Sequence, residues 1–277
     1  MPFVTRDIIG EDKANDMSTA SALRAQIEAA LADRIPSALT PAAKTIREVV
    51  PTGVAAVDAV LDGGLPVGAV TEMIGAECSG RTALALSFLA QITNAERVCA
   101  WIDVSNTLSP ESAAASGIEL KRLLWVRCGV KRASPPTHTA KPWSRIEQAL
   151  RVTDLLLQAG GFSAIVLDMG SIVPEHVTRI PLATWFRYGA AAERSRTSVL
   201  LLTQHACSKS SAGLVLHLAA GQPLSGETTV LAGLEHHVEV SRQRFTEASA
   251  KVVPFRKPPQ RASGAEWQSK TTWAGIR

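Results

Sequence analysis

No stretch of the 277 residues approaches ~20 uninterrupted apolar positions, so the sequence offers no transmembrane helix. The amino-terminal end lacks a basic start followed by an apolar block, so it does not read as a secretory signal. Cysteine is sparse. Cys78, Cys99, Cys128 and Cys207 are scattered, without the close pairings that metal sites and disulfide frameworks use. A reducing cytoplasm is therefore the expected compartment, with no metal site. A broad excess of one charge is missing too. The net charge is +4, but residues 242–277 carry eight basic and two acidic residues, leaving 21 basic against 23 acidic in the rest. A protein that grips duplex DNA usually presents a wide basic face. Here the basic character is a carboxy-terminal tail on a near-neutral body.

What is present is an alternation of helical and apolar segments. Residues 1–17 are polar and patternless. Residues 18–35 read as a helix capped by Ser18, with Leu23, Ile27, Ala30 and Leu31 on one side. Residues 36–41 form a linker, and a turn-rich approach leads to an apolar strand at 70–74. Runs at 98–104, 123–130, 163–170 and 198–205 read as strands, the last two apolar throughout, with helices at 145–160 and 181–194 around them. Strands apolar on both faces and separated by helices imply an α/β fold with a mostly parallel central sheet covered on both sides. The pattern turns hairpin-like beyond residue 212. The expected organisation is a tail and helix over 1–45, a core over 46–250 and a basic, flexible tail over 251–277.

One motif carries chemistry. Gly75 and Gly80 are spaced as in a phosphate-binding loop, followed by Arg81 and Thr82 where that pattern has Lys and Ser or Thr. Such a loop, between a strand and a helix, turns backbone N–H groups and a favourable helix dipole toward a phosphate. Arginine keeps the charge of lysine but brings a wide planar fork on a different stem, so the exchange is not conservative in a fitted site.

Residues 50–86, with 99–118, 123–126, 164–171 and 199–204, resemble the core of RecA-family recombinases, over roughly residues 46–245. The resemblance implies a RecA-like core, a metal-linked carboxylate at Asp168 and a γ-phosphate sensor at Gln204. It also places Arg242 and Arg244 on the positions of two lysines that reach a neighbouring subunit's nucleotide. The family's catalytic acid falls on Ser105, and its adenine-binding Asp and Tyr on Ser109 and Ser112. With Arg81, four nucleotide-contacting positions differ. A serine supplies no carboxylate base, and general-base help is commonly worth ~10²–10⁴-fold. Gly75, Gly80, Arg81, Thr82, Asp168 and Gln204 are therefore read as vestigial nucleotide-binding residues, with no catalytic residue and no cofactor. The two segments that thread single-stranded DNA in recombinases are short here.

Within that family, a reduced core with an altered loop is similar to the ImuA branch of RecA-like accessory proteins from bacterial mutagenesis cassettes. That likeness implies a role in damage-induced (SOS) translesion synthesis. It implies binding to ImuB, an inactive polymerase homologue, with RecA as a further partner, an error-prone DNA polymerase reached indirectly, and weak or no direct DNA binding. The tail interleaves basic residues with Trp267 and Trp273, large apolar anchors for a partner. Arg242 and Arg244 join them as candidate interaction residues. Two alternatives stay open: a DNA-stimulated ATPase of the recombinase family, with Glu77 replacing the missing carboxylate, and a cell-division inhibitor of the SulA type. His236 and His237 read as a solvent-edge pair, and Cys78 as a small residue in a tight turn.

Overall fold

The structure is a computed structural model that describes residues 22, 23, 26, 47–129, 142–225, 233–244 and 264–270. The chain divides into units Met1–Thr45 and Ile46–Arg277. In the first, Ala22, Leu23 and Gln26 are described, and all three are helical. The rest of the expected 18–35 helix and the 1–17 segment lie outside the described residues.

The second unit is built on an eight-stranded sheet. Its strands in chain order are β3 (Val70–Gly75), β4 (Cys99–Asp103), β5 (Leu123–Arg127), β6 (Ala164–Asp168), β7 (Ser198–Thr203), β8 (Leu214–Leu224), β9 (Gly233–Gln243) and β10 (Gly264–Lys270). A separate antiparallel pair is formed by β1 (Val49–Val50) and β2 (Leu65–Pro66). Across the large sheet the order is β10-β9-β8-β3-β7-β6-β4-β5. From β8 to β5 every pairing is parallel, and β8–β9–β10 is an antiparallel run. The expected α/β architecture, with a hairpin-like end, is what the chain adopts.

The continuously apolar strands explain the layering. In β6, Ala164 and Val166 face one side while Ile165 and Leu167 face the other, and all four are fully buried. Successive strand residues point to opposite faces, so a run apolar at every position needs a cover on both. One cover is helix α2 (Arg81–Asn94), which buries Leu84, Phe88, Leu89 and Ile92 against Trp101, Val166 and Leu200. The other is made by α4 (Pro142–Ala159) and α6 (Leu182–Ser195), which bring Ile146, Trp185 and Tyr188 onto Ile102, Ile165 and Leu201. Short helices α1 (Ala55–Val60), α3 (Pro110–Ala115) and α5 (Pro174–Val177) complete the connections. Burying each large apolar side chain contributes about 1.5–3 kcal/mol.

Two expectations fail toward the carboxy terminus. Residues 264–270, read as flexible tail, form β10 in full register with β9. Trp267, read as an anchor for a partner, is buried in the core instead. Trp273 lies outside the described residues.

Parallel pairing places the carboxyl ends of β3, β4, β6 and β7 along one edge of the sheet. In an open α/β sheet, that is the edge where ligands bind, at the point where strand order reverses. The chain leaves β3, passes over β7 and β6 to β4 and β5, and returns, so the reversal falls beside β3. Gly75, Asp103, Asp168 and Gln204 all sit along this edge.

Candidate functional site

The loop from Gly75 to Arg81 joins β3 to α2. Gly80 is the N-cap of α2, at φ 89°, and Cys78 takes φ 60°. No side chain caps α2, and the first amides of a helix have no intrahelical partner. A cavity of about 220 Å³ adjoins this helix start, lined by Ala76, Cys78, Ser79, Gly80, Arg81 and Thr82 together with Leu234, His236 and Ser269. Thr82 and Cys78 are exposed.

The side chain after Gly80 does not project freely toward that cavity. Arg81 is buried, and its Nη2 donates to the Gly170 carbonyl at 3.4 Å. Gln204 Nε2 donates to the same carbonyl at 2.8 Å. The Gly170 amide in turn donates to Asp168 Oδ1 at 2.9 Å. Three of the sequence-derived site residues thus converge on one glycine just past β6, a position with no signal in the sequence.

Burial shapes the charges here. It pushes the Asp168 carboxyl up to about 6; Asp103 adds to the rise, while the Gly170 amide and the Arg81 charge oppose it. Burial also lowers the Arg81 pKa, with Asp168 and Glu77 holding it up. Arg81 Nη1 has no hydrogen-bond partner among the described residues, and neither does Ser79 Oγ. A buried polar group left unpaired costs about 1–3 kcal/mol.

The neighbouring carboxyl ends are occupied by structural work. Asp103 is fully buried and accepts from the amides of Thr107 (3.1 Å) and Leu108 (2.9 Å) and from Trp125 Nε1 (3.3 Å). Ser109 is the N-cap of α3: its Oγ accepts from the Ser112 amide at 3.1 Å and donates to Glu111 at 2.9 Å. Glu72, buried in mid-sheet, accepts from the amides of Cys207 (2.7 Å) and Ser208 (3.2 Å) and from the Ser208 hydroxyl. It thereby pins the segment that follows β7.

The cavity wall opposite the loop comes from the β9–β10 hairpin, and it corrects the reading of the histidine pair. His237 is exposed, but His236 is 2% exposed. Its ring packs on Trp267 with centroids 4.8 Å apart, and Nε2 hydrogen-bonds Ser269 Oγ at 2.8 Å. Nδ1 faces Gly80 and has no hydrogen-bond partner. Burial lowers the imidazole pKa; the Ser79 backbone lies near enough to favour the charged ring but not in hydrogen-bonding geometry. The signal was available in the strand period: His236 shares a face with Val238, which is fully buried.

Arg242 and Arg244 are not part of this constellation. Arg242 is six residues along β9 from His236, ~20 Å at strand spacing. Its guanidinium is tied to the Lys209 carbonyl, and the Arg244 amide donates to Gly213. Arg244 is exposed.

Residues 20–179 match the family model described as the RecA N-terminal domain. The chain belongs to the RecA family. Among curated relatives, the RecA protein of Mesorhizobium japonicum is 31% identical over 211 residues, covering 70% of this chain and 54% of the relative. A mitochondrial DNA repair protein, a recA homologue of Dictyostelium discoideum, is 39% identical over 129 residues, covering 46% of this chain and 25% of its own length. This RecA-family chain therefore spans about half the length of the first relative and less of the second. A crystal structure of the RadB recombinase matches with a TM-score of 0.52 at 19% identity, covering 71% of this chain and 91% of that one, a likeness of fold.

RecA-family membership raises the question of whether a nucleoside triphosphate fits. His236 against Gly80 and Arg81 turned to Gly170 narrow the approach to the loop. No helix among the described residues is long and apolar enough to cross a membrane.

Proposed function

We propose that this chain is a RecA-family accessory protein of damage-induced translesion DNA synthesis. It acts by docking on an ImuB-type inactive polymerase homologue and on RecA, and reaches an error-prone DNA polymerase through ImuB, rather than by hydrolysing ATP. Direct DNA contact plays little or no part, and the setting is the cytoplasm. The observation that carries this reading is the placement of Arg81. The cation expected to serve the phosphates is buried on the Gly170 carbonyl. Ser105 in place of a catalytic carboxylate and Ser109 spent as a helix cap point the same way. So do the short connections after β6 and β7, which leave little chain to thread a DNA strand. The exposed Arg244, beyond the end of β9, is a candidate contact for a neighbouring RecA-like subunit. Size-exclusion chromatography of the full chain with purified ImuB-type protein, and separately with RecA, tests the proposal. Co-elution without nucleotide is expected, and separate elution from both partners contradicts it.

A second reading has its own support. Gly75 and Gly80 keep the spacing of a phosphate loop, Asp168 and Gln204 meet at Gly170 beside it, and Glu77 sits close enough to Arg81 to act on its charge. A DNA-stimulated ATPase would use these groups. Its mark is phosphate release that Asp168→Ala abolishes.

A further inference from the structure

We propose that the β9–β10 hairpin is a built-in plug of the phosphate loop, with His236 the residue that shuts out a nucleoside triphosphate. The inference rests on the reading of the loop as idle and supplies its physical cause. Three contacts hold the ring in place. Gly80 presents no side chain, so the imidazole lies directly on the loop: a Cβ built there would meet Nδ1 at 2.6 Å, Cγ at 2.7 Å and Cε1 at 3.0 Å. Trp267, directly opposite His236 in the β9–β10 register, backs the ring. Ser269, two residues on and on the same face, holds Nε2.

The closed arrangement is poised to open. Nδ1 of His236, Oγ of Ser79 and Nη1 of Arg81 are all buried and unpartnered around the loop, so the closed form leaves polar atoms unsatisfied that an opened form would pair with solvent or ligand. A ligand that needs the open form binds more weakly by the fraction of molecules that are open. A ring–ring contact and one neutral hydrogen bond together make opening on the order of 10–100-fold unfavourable, and that is the factor by which the hairpin weakens nucleotide binding.

Calorimetric titration of Mg·ATP into the full chain and into His236→Ala tests this, with thermal melting to verify folding. The expected result is no binding by the parent at ~1 mM and a gain of at least ~10-fold in affinity in the variant. His236→Gln, which retains bulk and reaches Ser269, should stay closed. Ser269→Ala, which frees the ring without removing it, should open partway and serves should His236→Ala not fold. If parent and opened variants alike fail to bind, the plug is overturned while the idle-loop reading stands. If parent and His236→Ala bind equally well, both fall. If the parent binds and His236→Ala binds more tightly, the plug stands and the idle-loop reading falls.

Discussion

His236 stands where a Cβ on residue 80 would have to go: the distance from that position to Nδ1 is 2.6 Å. Glycine at position 80 thus meets two demands, the positive φ of the loop and the approach of an imidazole from β9. The two can be separated by a double-mutant cycle. Gly80→Ala should cost about 2–4 kcal/mol in the parent, from backbone strain and the clash together. In a His236→Ala background only the strain remains, so the cost should fall by about 1–2 kcal/mol. Urea denaturation of the four proteins checks this, and additive costs would mean that the contact does not exist.

Glu72 predicts a different kind of loss. It accepts three hydrogen bonds from Cys207 and Ser208 in the buried sheet. Glu72→Ala strands those donors and opens a cavity, for about 3–5 kcal/mol. Glu72→Gln retains volume and one acceptor and should cost about 1–2 kcal/mol. Hydrogen exchange should speed up at residues 205–213 in both, more in the alanine variant. A Glu72→Ala protein of parental stability contradicts this role.

The pH dependence has a definite sign. Burial raises the Asp168 pKa from 3.8 to about 6 in the folded chain. The folded state therefore holds that proton more tightly than the unfolded one. The stabilisation from protonation is complete below about 4 and is lost as pH rises through about 6, on the order of 2–3 kcal/mol. Asp168→Asn should remove this segment of the stability profile. Denaturation midpoints of both proteins between pH 4 and 7 provide the measurement, and parallel profiles rule the assignment out.

Much of the framework was legible because it depends on local pattern. The apolar runs of β6 and β7 announced buried parallel strands, and the spacing of residues 145–160 announced α4. Gly75 and Gly80 marked the loop: Gly80 takes a positive φ, and a Cβ at Gly75 would run into the Leu218 carbonyl. What stayed hidden depends on tertiary contact. β10, with the sequence GAEWQSK, carries a clear alternation, with Ala265 and Trp267 inward and Glu266 and Gln268 outward. That alternation is short and set among Pro, Arg and Ser, and pairing with β9 is what makes it a strand. The direction of Arg81 was equally unreadable, because a long side chain's rotamer is chosen by its surroundings, here the Gly170 carbonyl. His236 was legible in principle from the face it shares with Val238, yet adjacent histidines read more readily as an exposed pair.

Arg81 gives a prediction about repair of the loop. Arg81→Lys restores the ordinary residue of a phosphate loop but gives up the donation to Gly170, for about 0.5–1.5 kcal/mol of stability. With His236 still in place, it should not create nucleotide binding. Combined with His236→Ala it should bind Mg·ATP more tightly than His236→Ala alone. Protection of Cys78, the one exposed thiol of the four, against a thiol reagent reports occupancy of the loop directly. Protection by nucleotide in Arg81→Lys alone would show that the arginine, not the hairpin, is the block.

The most direct test of the central claim is steady-state phosphate release from Mg·ATP by the 277-residue chain, with and without single-stranded DNA. A docking protein built on an idle RecA-family core releases phosphate no faster than the buffer blank in either condition. DNA-stimulated turnover that disappears in Asp168→Ala contradicts that account.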